Sequence, residues 1–294
     1  MHPAPDPLAE HLGGTMTDLN GQRPRLMSVA YRMLGSVADA EDAVQDAFLR
    51  LQTAGAVTSP EGFLVRTTTR LCIDRLRTRR RVEYIGPWVP EPVETRGRDS
   101  ALGESLTQAF LLLLERLSPD ERAAFLLRTV FDYEYAEVGE VLEKSEATVR
   151  QLVSRARRRL GLEGESRFRA TSTQANGLAE RFVTACRSGD LKAIEAMMTE
   201  NVTVHSDGGG KASAARRVIE GRDRSARFLA GVFRKRLRTC ELHLTEVNGG
   251  PGVLFIHDGK VNDVVSLSLG ESVQAVYITV NPDKLVRWSV AEID

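Results

Sequence analysis

Apolar positions recur at helical spacing through the first half of the chain. In GSVADAEDAVQDAFLRL, the residues Ala40, Ala43, Val44, Ala47, Phe48 and Leu51 are spaced 3, 1, 3, 1 and 3, which is one helical face, with Ser36 as candidate N-cap. Asp39, Asp42 and Asp46 form a row on the other face, with Glu41 beside it. A second helix is predicted from Ser59-Pro60, a cap followed by proline at the first helical position, through FLVRTTTRLCIDRLRTRRR. Its last two turns hold Arg75, Arg77, Arg79, Arg80 and Arg81. Pro87, Pro90 and Pro92 then rule out a continuing helix, so 84–104 is predicted to be an extended linker. Helices resume near Leu106, and Ser118-Pro119-Asp120-Glu121 is a capping box with proline at N1. Two further helices, about 134–142 and 146–160, are separated only by Glu143-Lys144-Ser145, a helix-turn-helix spacing.

The pattern changes after Gly161. Helices are predicted over about 176–188 and 190–199, then a strand over Val202–Ser206, a glycine loop, and a helix near Arg222–Arg236. The runs ELHLTEV, VLFIHD, KVNDVVSLSL, SVQAVYITV and LVRWSV follow, separated by Gly249-Gly250-Pro251, Asp258-Gly259 and Gly270-Glu271. Such period-two runs with glycine turns predict a mostly antiparallel sheet. Helices grouped ahead of it make an α+β domain, with room for a curved sheet wrapped around a helix.

A length of 294 residues allows two domains and a small third. With 42% hydrophobic and 27% charged residues, the composition is that of a globular chain and argues against wholesale disorder. No apolar run approaches the ~18 to 20 residues a spanning helix needs. Cys72, Cys186 and Cys240 are scattered, without CxxC spacing or a nearby histidine pair, so neither a disulfide framework nor a metal site is expected, and a reducing cytosol is. Residues 1–18 lack the features of a secretion signal and read as a disordered tail, with Met16 an alternative start.

The helix-turn-helix carries the most specific chemistry. Val149, Leu152, Val153, Ala156 and Leu160 form its buried stripe, leaving Arg150, Gln151, Ser154, Arg155 and Arg158 outward, with Arg157 and Arg159 flanking. Such a helix fits the major groove, where Arg and Gln match base edges and further arginines meet phosphates. A solvated helical hairpin is the plainer alternative. The Arg75–Arg81 run has the same ambiguity, but the acidic row upstream repels DNA, so one small helical domain would show one face to protein and another to nucleic acid. Phe63 and Tyr84 are the aromatics near the basic helix, and Phe63 reads as core.

GSVADAEDAVQDAFLRL followed by IDRLR resembles the second region of bacterial extracytoplasmic-function sigma factors, and LSPDERAAFLLRTVFDYEYAEVGEVLEKSEATVRQLVSRARRRL resembles their fourth. YIGPWVPEPV, DGGGK at Asp207–Lys211 and NPDKL at Asn281–Leu285 resemble signature segments of the group carrying a SnoaL-like C-terminal extension, whose cone-shaped α+β fold is shared with polyketide cyclases and ketosteroid isomerases. The resemblance implies a sigma region 2 over 19–83, a linker over 84–104, a region 4 over 105–162 and a regulatory SnoaL-like domain over 170–294. It implies that Asp39, Asp42, Asp46 and Arg50 dock on core RNA polymerase through a coiled coil of the beta-prime subunit, with the beta subunit also a partner. Arg75, Arg77, Arg79, Arg80 and Arg81 would serve the minus-10 element, and Thr148, Arg150, Gln151, Ser154, Arg155 and Arg158 the minus-35 element. Trp88, Pro90, Pro92, Asp207, Lys211, Asn281, Pro282, Asp283, Lys284 and Leu285 would make the regulatory interdomain contacts, with both signature loops at the surface.

The resemblance further implies a non-enzymatic, nucleoid-associated cytoplasmic protein that needs no cofactor or metal and is monomeric when free; a small ligand in the C-terminal domain is compatible with it. A helix-turn-helix repressor with a ligand-binding domain, and a SnoaL-type enzyme using His205 or Asp207 on a DNA-binding carrier, are the alternatives. DGGGK lacks the strand-loop-helix setting and the GK[ST] ending of a phosphate loop.

Forty Lys plus Arg balance forty Asp plus Glu, yet the charges are segregated. Residues 60–83 hold seven Arg against three acids (+4), 144–160 hold six basic residues against one Glu (+5), and 37–52 hold four acids against one Arg (−3). Overall neutrality is therefore compatible with a nucleic-acid partner.

Overall fold

The structure, a computed structural model, describes residues 19, 21–79, 84–95, 107–162 and 172–289. The chain forms two compact units, 1–82 with 114–164, and 83–113 with 165–294. The linker therefore belongs to the same unit as the C-terminal sheet.

In the first unit, α1 (Arg23–Leu34) stops at Gly35, whose φ of 64° suits a residue without Cβ. α2 (Val37–Thr53) starts at Ser36, whose hydroxyl accepts from the Asp39 N–H at 3.3 Å, and it buries Ala40, Ala43, Val44, Ala47 and Phe48 as its spacing predicts. α3 (Pro60–Arg79) also buries Thr67, Thr68 and Thr69, because it packs on α1 and α2 and also against helices of the second half. α4 (Gln108–Leu114) begins in the other unit and leads to α5 (Pro119–Phe125). There Ser118 and Glu121 form the predicted capping box. A π-turn over Leu126–Val130, invisible in the periodicity, connects to α6 (Tyr135–Leu142) and α7 (Glu146–Leu160). The tight α6–α7 corner places Glu143 at φ 53°.

In the second unit, α8 (Ser172–Ser188) and α9 (Leu191–Ala196) precede β1 (Met198–Asp207), β2 (Ile219–Glu220) and α10 (Arg222–Arg236). Then come β3 (Glu241–Val247), β4 (Gly250–His257), β5 (Lys260–Leu269) and β6 (Val273–Thr279). The sheet order is β2-β1-β6-β5-β4-β3, antiparallel except for the parallel β1–β6 pair. Phe182, Leu229, Phe233, Val204, Phe255, Val265 and Val276 fill the core between the helices and the inner face. The outer face is buried as well, beneath the linker and the chain after β6. That double burial explains the near-continuous apolar stretches VLFI and AVYI in β4 and β6.

Four expectations are corrected. The second of the two helices ends at Ala196 and β1 begins at Met198, so the segment predicted helical to residue 199 is already strand. LVRWSV is not a strand: Pro282–Lys284 form a 3₁₀ turn after Asn281, whose side chain accepts from the Asp283 N–H at 3.1 Å and bends the chain out of the sheet. Gly250 and Pro251 lie within β4, because the hairpin turns at Asn248-Gly249, both with positive φ. The two-residue β2 is too short to leave a periodic signal. The predicted N-terminal tail, residues 1–18, lies outside the described residues.

Candidate nucleic-acid interface and linker clamp

The recognition-type helix α7 caps on Ser145 and buries Val149, Leu152, Val153, Ala156 and Leu160. Arg150, Gln151, Ser154, Arg155 and Arg158 are exposed, and Thr148 is half-buried at the cap. The arginines are already oriented by acids of the same unit. Arg159 reaches the Glu121 carboxylate at 2.8 Å and Arg155 the same group at 3.8 Å. Arg150 pairs with Glu146 at 2.5 Å and lies 4.1 Å from the Tyr135 ring centroid.

On α2, Asp39, Asp42 and Arg50 are exposed beside Leu49, an apolar side chain left in water. Asp46 is not free for a partner: Arg75 Nη2 sits 3.2 Å from it, and Arg75 also donates to the Asp39 carbonyl. The expected separation into an acidic protein face and a basic nucleic-acid face is thus corrected at this position. α2 and α3 are adjacent antiparallel helices, so the acidic row and the first basic residue meet. Arg79 donates to the Leu34 carbonyl at 2.9 Å, closing the end of α1. Arg80 and Arg81 lie outside the described residues.

α3 is also tied to the helix-turn-helix half of its unit. Arg77 reaches Asp120 at 3.1 Å and Arg70 reaches Glu143 at 2.6 Å, so two arginines of the basic helix face acids of the segment that carries α7. Buried Arg122 of α5 donates to the Met33 carbonyl at 2.7 Å and to Glu115 at 2.8 Å. Arg25 and Arg32 lie over Tyr133 and Phe131 at 4.8 and 5.6 Å. Burial pulls the Arg32 guanidinium down to about 10.

In the second unit the signature segments converge on one carboxylate. Asp207, expected at the surface, is fully buried, because the linker lies over the end of β1. Tyr84 Oη donates to its Oδ1 at 2.6 Å, the Val89 N–H to Oδ2 at 2.8 Å and the Gly209 N–H to Oδ1 at 3.0 Å. Lys284 Nζ completes the shell at 2.6 Å from Oδ2, donates to the Val89 carbonyl, and lies 4.7 and 5.3 Å from the Trp88 and Tyr84 ring centroids. Asn281 donates to Tyr84 Oη at 3.1 Å. Lys211 and Asp283 do lie at the surface, paired at 2.6 Å. A Cβ on Gly209 would fall 2.2 Å from Asn281 Nδ2, so this glycine is fixed by close approach as well as by φ 57°. The predicted positive-φ role of the loop glycines holds for Gly209 and Gly210; Gly208 is needed because a Cβ there would lie 2.3 Å from the Ala212 carbonyl.

The grip continues along the linker, which is packed rather than solvated: Val89, Pro90, Glu91 and Pro92 are buried and Trp88 is half-buried. Trp288 Nε1 donates to the Pro92 carbonyl at 3.1 Å, and Asn248 and Val93 exchange two hydrogen bonds, at 2.8 and 3.0 Å. The Thr95 hydroxyl donates to Glu246 at 2.6 Å, and Glu94 bridges to Val247. Gln108 donates to the Pro90 carbonyl at 3.0 Å and accepts from Ser266. Of the expected regulatory residues, Pro282 is exposed and Leu285 packs under the linker side of the sheet. Tyr84, Glu91, Thr95, Gln108, Asn248, Ser266 and Trp288 were not singled out by sequence reasoning for this contact. Only Tyr84 and Trp288 stood in segments already marked, and the others carry no local signal.

His205 and Asp207, the residues considered for catalysis, lie on the outer sheet face. His205 stacks on Tyr277 with centroids 5.2 Å apart, and burial lowers its pKa against an opposing effect of Glu220. Asp207 has its oxygens taken by four donors. Burial pushes the Cys72 and Cys186 thiols up to about 12, so neither is a thiolate at neutral pH. Among the described residues no group of three or more His, Cys, Asp or Glu could hold a metal, and no helix is long and apolar enough to cross a membrane.

Comparison with known proteins agrees with this geometry. Residues 21–82 match Sigma-70 region 2, 107–160 match Sigma-70 region 4, and 179–276 match the SnoaL-like domain. The chain is 38% identical over 230 residues to the ECF RNA polymerase sigma factor SigJ of Mycobacterium tuberculosis, covering 75% of this chain and 73% of that one. It is 30% identical to the probable ECF RNA polymerase sigma factor SigI of the same species, covering 90% and 92%. The crystal structure of the M. tuberculosis SigJ superposes with a TM-score of 0.74 at 34% identity, covering 92% of this chain and 97% of that one.

Proposed function

Because the chain belongs to the extracytoplasmic-function RNA polymerase sigma factors, which bind core polymerase and promoter DNA to direct transcription initiation, we propose that its first unit is a closed form that must open on the promoter. Membership in this family sets aside the repressor alternative. In this reading residues 19–83 and 105–162 are the two promoter-reading regions, 84–104 is their linker and 170–294 is the built-in regulator, working in the cytoplasm at the nucleoid and without catalysis. Asp39, Asp42 and Arg50, with exposed Leu49, offer the surface for the beta-prime coiled coil. Arg75, Arg77, Arg79, Arg80 and Arg81 serve the minus-10 element. Thr148, Arg150, Gln151, Ser154, Arg155 and Arg158 serve the minus-35 element.

One observation carries the closed form: Arg77 and Arg70 of the basic helix are spent on Asp120 and Glu143 of the helix-turn-helix half. Promoter elements named for positions about 25 base pairs apart lie roughly 85 Å apart at about 3.4 Å per pair. α3 packs directly on α5 and α6, so the two regions cannot span that distance without separating. The linker must then move with them, and the clamp at Asp207 controls it. Both ion pairs are largely exposed, each contributing about 0.5 to 1 kcal/mol, so together they bias closure by about three- to tenfold. The double variant Asp120→Asn, Glu143→Gln keeps every arginine and should raise run-off transcription from a cognate promoter with core polymerase by that factor. Unchanged or lower transcription from a folded double variant would refute the closed form.

A further inference from the structure

A cleft of about 630 Å³ opens in the second unit where the end of α10, the β4–β5 turn and residues 280–289 meet. Its size suits a small molecule. Asp263 of β5 lines it and is only 1% exposed. Arg236 Nε stands 2.5 Å from its Oδ2 as an ion pair, but outside hydrogen-bond alignment, and neither carboxylate oxygen has a hydrogen-bond partner among the described residues. A buried acceptor left in this state is costly, and the usual remedy is a donor supplied from outside the chain. The sheet irregularity between Phe255 and Ile256 sets this residue: the bulge turns Asp263 to the inner face opposite Phe255, where an apolar residue would continue the core.

The other walls define the ligand. Val280, Leu285, Val286 and Trp288 give an apolar lining, and Lys260 adds a second cation beside Arg236. Two cations disfavour an amine, and the Asp263 carboxylate disfavours an anion near its oxygens. We propose that this cleft is an effector site for a neutral, mainly apolar molecule whose hydroxyl donates to Asp263. The site deepens the regulatory reading above, because its wall is the segment whose Lys284 and Trp288 hold the linker. Binding itself is independent of that reading.

Calorimetry on the full chain tests it, with 2-naphthol as the hydroxyl probe, 2-methoxynaphthalene as the same body without a donor and 2-naphthylmethylammonium as the cation. The expected result is measurable 2-naphthol binding, with each of the other two probes weaker by about tenfold or more. Asp263→Ala should weaken 2-naphthol about tenfold. Val286→Trp changes a residue that is 80% exposed and should block the mouth without disturbing the core, so it serves if Asp263→Ala does not fold. Equal affinity for 2-naphthol and 2-methoxynaphthalene, unchanged binding in a folded Asp263→Ala or in Val286→Trp, or no 2-naphthol binding up to ~1 mM overturns the proposal. Run-off transcription with and without bound 2-naphthol separates failure of the site from failure of the regulatory reading.

Discussion

Removing the Asp207 carboxylate should loosen the linker more than any other single side-chain truncation. Asp207 is 0% exposed and accepts from Tyr84, Val89 and Gly209 in addition to its ion pair with Lys284, which is itself 11% exposed. Hydrogen bonds to a charged group contribute about 1.5 to 3 kcal/mol each, and breaking a buried pair from one side costs about 3 to 5 kcal/mol. Asp207→Ala leaves Lys284 with the Val89 carbonyl and two aromatic rings, so a cost of about 4 kcal/mol to the C-terminal unit is expected. Lys284→Met costs less, about 2 kcal/mol, because three donors still satisfy the carboxylate. In the double variant no charge is stranded, so the loss should fall short of the sum by about 2 kcal/mol. Urea unfolding of the four proteins measures the cycle, and hydrogen exchange at the Val89 amide reports whether the linker detaches first. Additivity within about 0.5 kcal/mol, or a cost below about 1 kcal/mol for Asp207→Ala, would show that Asp207 is not the centre of the clamp.

Gly209→Ala places a methyl 2.2 Å from Asn281 Nδ2 at φ 57°, so a loss of about 2 to 3 kcal/mol with displacement of Asn281 is expected in urea unfolding; a loss under about 0.5 kcal/mol would mean the loop adjusts freely. Asp263 offers a pH test. Burial raises its pKa to about 6, against the lowering effects of Arg236 and Lys235. The folded state therefore binds the proton more tightly than the unfolded state. This contribution is fully present below about pH 4 and is lost as pH rises through about 6, for a total of about 2 to 3 kcal/mol. The stability of the wild type relative to Asp263→Asn should fall over that window, and a flat difference from pH 4 to 7 would refute the assignment.

Local structure was largely legible in the sequence wherever a short-range rule sets it. The Ser36 and Ser118 caps, the stripe in α2, the α6–α7 corner and the strands of β3 and β5 each follow from residues within one or two turns of each other. The convergence of the linker, DGGGK and NPDKL segments was legible only as a family resemblance. Nothing in the spacing of Tyr84, Asp207 and Lys284 shows that one carboxylate would collect all three, because they are brought together by β1 and β6 pairing in parallel. LVRWSV misled for a related reason: its apolar residues pack against the outer sheet face without joining the sheet, and periodicity reports burial, not hydrogen-bond partners.

The sequence by itself determined the charge segregation, the helix-turn-helix stripe and the order of two helical regions, a proline linker and an α+β domain. Tertiary structure alone decided where the charges go. It set Arg75 against Asp46, Arg70 and Arg77 against acids of the helix-turn-helix half, and buried Asp207 beneath a linker that composition describes as solvated. The reason is physical: a residue's type fixes its charge and propensity, but its partner depends on which distant segments share a face. The cost of leaving a buried charge alone makes those pairings specific once the chain has folded.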